Sequence, residues 1–202
     1  MSKYLLVTII CLVVIGAGLG IYYFQKSSTE KQLEPLATQE EQSEEKTKKD
    51  NLLVRDEYSI LIPVGWREVA APTGVSAMVS YIDEEITDPG AKKINFKTYY
   101  SIQYDVLQNK SLTEHAEIVK TQLKQALPEI SFVNERSLII NGREAYNLET
   151  DLSQKGVDFK IPIVFIKGKA DDVWTFIFNT PKSNWQKYQS LFQKIIQSFE
   201  VK

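Results

Sequence analysis

The 202-residue chain reads as an α+β protein: an antiparallel sheet with packed helices, behind one N-terminal transmembrane helix. Three observations predict this. Residues 4–24, YLLVTIICLVVIGAGLGIYYF, form a 21-residue run without a formal charge. Segments of period-two alternation flank turn signals, among them Asn141-Gly142, a pair that favours two-residue hairpin turns. Two stretches, 112–127 and 185–199, place their apolar residues on a single helical stripe.

The apolar run is the anchor. As a helix it spans about 31 Å, which matches a hydrocarbon core of roughly 30 Å. Tyr22, Tyr23 and Phe24 stand at one end as an interfacial belt would. A cleavable signal peptide is the competing reading, with Gly16, Gly18 and Gly20 as small residues near a cleavage point. The very short charged start and the length of the run favour retention. Cys11 is no lipoprotein cysteine, because Ile10 stands where a small residue is required. The short N-terminus and long C-terminal portion favour a folded domain outside the cytoplasm. Gly16 and Gly20 form a GxxxG pair, read as small residues without a partner helix.

Residues 25–52 carry five Lys, seven Asp or Glu and no aromatic residue. Such a segment buries too little apolar surface to offset chain entropy and is read as a disordered charged linker. The expected organisation is therefore an anchor at 1–24, a linker at 25–52 and a globular domain at 53–202.

In that domain, YSILIPVGW (58–66) is a strand stopped by Pro63, with Gly65 freeing a turn and Trp66 folding back as a plug. VSAMVSYI (75–82) and INFKTYYSIQYDV (94–106) read as a hairpin across a loop whose Pro89-Gly90 marks a turn. Ser111 and Glu114 match a capping box. The helix they open carries Leu112, Ala116, Val119, Leu123 and Leu127 on one face, and Pro128 closes it. Residues 136–140 and 143–152 form a hairpin about Asn141-Gly142. Residues 157–167 and 173–179 form another, with Pro162 suggesting an edge strand or a bulge. A last helix presents Trp185, Tyr188, Phe192, Ile195 and Phe199.

The stretch EYSILIPVGWREV near the start of the domain and IIQSFEV at its end resemble the PsbP-like family. That family comprises the extrinsic photosystem II subunit, many bacterial relatives and a eukaryotic Ran-binding transport factor. The order of elements between the two motifs fits, so the resemblance covers about residues 53–202. It implies an antiparallel sheet inside an α/β/α sandwich. A membrane anchor takes the place of a plastid targeting segment, and only two helices are evident. No metal-associated or partner-contacting residue of the photosystem subunits maps onto this chain, so the resemblance supports no photosynthetic role. It implies kinship with exported or anchored bacterial relatives.

The sequence offers little chemistry. A net charge of −2, spread along the chain, gives no footprint for nucleic acid. One cysteine and one histidine exclude an internal disulfide and a Cys- or His-rich metal site. No GxSxG elbow, phosphate loop or HExxH is present, so neither catalysis nor a cofactor is expected. His115 is read as a solvated helix residue, and Trp66, Trp174 and Trp185 as core. The carboxylates Asp83, Glu84, Glu85 and Asp88 are the one candidate divalent-ion site, although a solvated loop is the simpler reading. Asp171 and Asp172 are a second acidic loop. Tyr99 falls on the polar side of its strand: exposed if helices cover one sheet face, core if they cover both. It is the candidate partner contact. These features suggest a non-enzymatic binding or assembly module held at the membrane, with a protein partner there. The alternative is an envelope protein that binds a small ligand or divalent ion.

Overall fold

The computed structural model describes residues 51–202. The expected anchor and nearly all of the linker lie outside the described residues. Among these, no helix is long and apolar enough to cross a membrane.

Ten strands and three helices follow in order: β1 (Asn51–Val54), β2 (Tyr58–Ile62), β3 (Arg67–Val69), β4 (Ala77–Ser80), α1 (Pro89–Lys93), β5 (Tyr99–Val106), α2 (Leu112–Ala126), β6 (Ser131–Ile140), β7 (Arg143–Gln154), β8 (Val157–Lys167), β9 (Asp172–Pro181), α3 (Trp185–Gln197) and β10 (Glu200–Val201). Asn51 and Leu52, read as linker, thus begin β1. A 3-10 turn, Lys182–Asn184, leads into α3.

Seven strands form the main antiparallel sheet, in the order β3-β4-β5-β9-β8-β7-β6. The chain leaves the middle of the sheet after β5, crosses one face as α2, enters the far edge as β6 and meanders back to β9. Both central hairpins turn on two residues with positive φ: Asn141 (49°) with Gly142 (75°), and Lys155 (53°) with Gly156 (74°). Such turns match the twist of antiparallel strands. The second turn makes 131–181 one continuous meander rather than two separate hairpins.

Helix α2 packs on one face. Its expected stripe is buried there with Leu148, Ile161, Ile163, Phe165 and Ile177 of the sheet. Ser111 caps α2 through Glu114 N at 3.2 Å, and Glu114 Oε2 accepts from Ser111 N at 2.8 Å. Helix α3 packs on the other face, its Phe192 ring 4.6 Å from that of Phe178. Beside α3 lies a second sheet, β1-β2-β10. The result is a three-layer sandwich with a helix on either side of the large sheet.

At the opening corner, Trp66 N donates to Pro63 O at 3.0 Å and Gly65 adopts φ +83°. Trp66 is buried and stacks on Tyr81, centroids 5.8 Å apart and planes 9° from parallel. Strand β2 is fixed to the large sheet through Tyr100 Oη, which donates to Leu61 O at 2.7 Å.

Three expectations change. The strand expected from residue 94 starts at Tyr99, because Asn95 turns left-handed (φ 49°) and Phe96 N bonds back to Ala91 O. Pro89-Gly90 is no turn: Pro89 opens α1, where its missing N–H is harmless, and Asp88 caps it through Ala91 N at 2.9 Å. Pro162 lies in the interior strand β8 instead of at an edge or bulge. The β8–β9 ladder skips Ile161 and Pro162 and resumes in the same register, so one missing donor is absorbed without a shift.

Gly90 packs so closely on the β7–β8 turn that a Cβ there would sit 2.3 Å from Gly156 O. Gly156 O belongs to the backbone, so it cannot swing away. Gly90→Ala is expected to destabilise the domain by about 1–3 kcal/mol, read as a lower urea midpoint with an unchanged slope.

Candidate functional site

Helix α3 covers β9 and part of β8 but stops short of the β6 edge. A groove of about 540 Å³ remains between the helix and the sheet, a size typical of small binding sites. Its floor follows from strand register. Arg136, Asn147 and Val164 stand side by side across β6, β7 and β8, and Glu149 lies opposite Pro162 in the next row. Leu138 and Ile140 extend the apolar part of the floor. One flank of α3 forms the wall, with Trp185, Phe192 and Ile196 low and Gln189, Gln193 and Gln197 above them.

One polar group is buried on the floor: Asn147 is 7% exposed. Its side chain lines the groove. At one end Glu149 Oε2 lies 3.1 Å from Lys160 Nζ, which also lies 3.4 Å from Asp151 Oδ1. Lys182 Nζ reaches Asp151 Oδ2 at 2.6 Å. Lys160 is only 8% exposed, and a buried cation requires such partners. Its ammonium also lies 6.0 Å from the centroid of the Trp185 ring. At the opposite end Asn141 Nδ2 donates to Gln197 O and Phe199 O, at 2.8 and 2.9 Å.

The residues singled out from sequence lie elsewhere and do not converge. Asp83 faces Arg67 at 3.9 Å, both exposed. Glu85 is exposed. Asp88 caps α1 and accepts from Ser183 Oγ at 2.8 Å. Bonding by the Ala91 amide, with that of Ser183, holds its carboxyl below the ordinary range. Glu84 turns inward and is 4% exposed. It accepts from Thr98 N (2.6 Å), Thr98 Oγ1 (2.9 Å) and Tyr188 Oη (2.5 Å). Burial, and then this bond, push the Tyr188 phenol upward. Glu84 and Asp88 thus serve separate structural tasks, while Asp83 and Glu85 stand at the surface. Among the described residues no group of three or more His, Cys, Asp or Glu is placed to hold a metal ion.

Tyr99 is buried, with its hydroxyl accepting from Asn179 Nδ2 at 3.1 Å. Both faces of its strand are covered, so it is a core residue and no contact surface. His115, expected in solvent, is 5% exposed beneath α2, edge-on to Phe165 at 5.3 Å. Desolvation lowers its pKa, opposed in part by Asp105. Trp174 is core; Trp185 is half-buried at the groove. Asp171 accepts from Asn109 N and Asp172 from Tyr104 Oη. The groove residues went unnoticed in the sequence. The spacing of Gln189, Gln193 and Gln197 was the available signal, but only the sheet beside it gives that stripe a meaning.

A small sheet and two opposed helices around a seven-stranded antiparallel sheet define a protein of the PsbP type. The PsbP family model matches residues 54–201, and the chain belongs to that family. Several solved structures are similar. Cyanobacterial PsbP (CyanoP) from Synechocystis sp. PCC 6803 is 18% identical with a TM-score of 0.55, covering 76% of this chain and 92% of its own. LpqN of Mycobacterium tuberculosis, involved in cell envelope biogenesis, is 12% identical with a TM-score of 0.55, over 76% and 90%. The Saccharomyces cerevisiae Ran-binding protein Mog1p is 12% identical with a TM-score of 0.52, over 77% and 96%. At these identities the likeness shows a common fold. No curated protein matches the chain.

Two outcomes follow from this chemistry. Glu84→Ala strands a buried amide and a buried phenol, and is expected to cost about 3 kcal/mol or more in urea unfolding. Calcium added to the wild type should leave its melting temperature unchanged. The depressed pKa of His115 fixes a sign as well: between its folded value and about 6.5 the unfolded chain binds a proton that the folded chain refuses. Its contribution is full above that range and lost as pH falls through it. His115→Leu should flatten the decline of melting temperature between about pH 7 and 5.5, ahead of carboxylate titration.

Proposed function

We propose that this protein is a non-catalytic binding or assembly module of the cell envelope. Residues 4–24 hold it at the membrane, residues 25–50 tether it, and the domain works outside the cytoplasm with the α3–β6 groove as its docking surface. The groove carries this reading. It joins apolar floor and aromatic wall to a few polar groups, the usual composition of a recognition site. It contains no histidine or cysteine, and its one carboxylate, Glu149, is engaged by Lys160. That supports binding rather than acid–base or nucleophilic chemistry. The setting is supported by the uncharged N-terminal run and by the fold shared with LpqN, a protein of envelope biogenesis. A small envelope ligand is the second reading, favoured by the groove volume. A divalent ion has less support, because Glu84 and Asp88 are engaged by donors of the domain itself.

Cross-linking in intact membranes, followed by capture of the full-length chain, tests the proposal. One abundant membrane or envelope protein should be recovered, lost on deletion of residues 51–202 and retained when 25–50 are scrambled. Recovery of the chain alone would overturn it. Protease added outside intact cells should digest the domain.

A further inference from the structure

We propose that Asn141 is a modification site that the fold keeps shut: it deamidates only when the β6–β7 turn lets go of α3, and the reaction makes that release permanent.

The chemistry belongs to the Asn-Gly pair, which occurs once in the chain. The amide nitrogen of Gly142 attacks Cγ of Asn141 and gives up its proton to water. The bond from Cγ to Nδ2 breaks, and that nitrogen takes a proton and leaves as ammonia. Water then opens the cyclic imide at either carbonyl. The product is aspartate, or isoaspartate with the main chain running through its side chain. Water is the only co-reactant. Glycine in second place favours the attack because no Cβ shields its nitrogen, and a Cβ built on Gly142 would meet nothing within 4 Å. Both residues are exposed, so water reaches them. Asn95 and Asn109 are left-handed as well, but Phe96 and Lys110 follow them and shield the attacking nitrogen.

Two features hold the reaction off in the folded domain. The first is the backbone. Asn141 has φ 49°, the left-handed conformation that this turn requires at its first position. With ψ near about +47°, the next amide nitrogen stands almost opposite Cβ across the Cα–C bond. Attack on Cγ needs the two on the same side, so the turn must first unwind. The second is the side chain. Nδ2 donates to Gln197 O at 2.8 Å and to Phe199 O at 2.9 Å, which fixes the carboxamide against the end of α3.

The same two bonds set the consequence. Gln197 ends α3, and Phe199 stands directly before β10. Carbonyls at the end of a helix lack partners within it, and Asn141 supplies one. A carboxylate only accepts. Placed there it would face two carbonyl oxygens at the negative end of the helix dipole, so the pin cannot re-form. Isoaspartate also lengthens the main chain of a turn that is matched to two residues. What comes loose is a seam of the fold: the Phe199 ring lies 4.6 Å from Phe176 of the large sheet and 5.9 Å from Tyr58 of the small one. The reaction is independent of what the groove binds.

The test incubates the full-length chain in detergent at mildly alkaline pH, in native buffer and in unfolding urea. Peptide mass spectrometry follows the exchange of NH2 for OH at each asparagine. In urea Asn141 should convert first. In native buffer it should convert more slowly by about tenfold or more, because only the opened fraction reacts. Asn141→Asp, made directly, should unfold at lower urea than the wild type and lose its last residues faster to carboxypeptidase. Should that variant fail to fold, aged wild type is separated by ion exchange and its deamidated fraction read in the same way. Equal rates in the two buffers would overturn the inference, because the fold would then offer no guard. So would earlier conversion of another asparagine in urea, or a deamidated chain as stable and as resistant as its parent.

Discussion

Strand β9 is buried on both faces, and the layers of the domain meet on it. Phe176 and Phe178 point to the side of α3, while Val173 and Ile177 point to the side of α2. A strand covered twice has no solvent side, so its composition cannot alternate; neighbouring β8 reads FKIPIVFIK for the same reason. The contacts are dense with rings. Phe176 meets Phe199 at 4.6 Å and Trp174 lies 5.0 Å from Tyr58, which joins the small sheet to the large one. Each fully buried side chain of this kind contributes about 1.5–3 kcal/mol.

From this centre outward, coverage thins. From Tyr99 to Gln103 strand β5 still has both faces closed, which is why Tyr99, Ser101 and Gln103 are buried despite their polar character. At β6 the coverage ends, and most of that strand is exposed. The groove is the step between covered and uncovered sheet, set by one helix being narrower than the sheet beneath it.

The parts of the fold legible in the sequence are those governed by near neighbours. The capping box at Ser111, the Asn141-Gly142 turn, the stripes of α2 and α3 and the Trp66 corner each depend on residues a few positions apart. The PsbP resemblance rested on such stretches as well. What could not be read depends on distant partners. Strand β10 is two residues long and exists because β2 accepts it, and β1 exists only as a partner of β2. Glu84 looked like one of four loop carboxylates, and its burial is decided by Thr98 and Tyr188, 14 and 104 positions away. His115 is buried because Phe165 lies beneath it. The groove is the extreme case, assembled from β6, β7, β8 and α3, none of which announces it alone.

Both ends of α3 are pinned by side chains from outside the helix. At its start Ser183 donates to Asp88, and Thr87 bonds to Asn184 at 3.1 Å; at its end Asn141 holds the carbonyls of Gln197 and Phe199. A wall fixed at both ends needs no ordering when a guest arrives. The loss of freedom on association then falls on the guest, and a guest already stiff will hold far better than a supple one of identical composition.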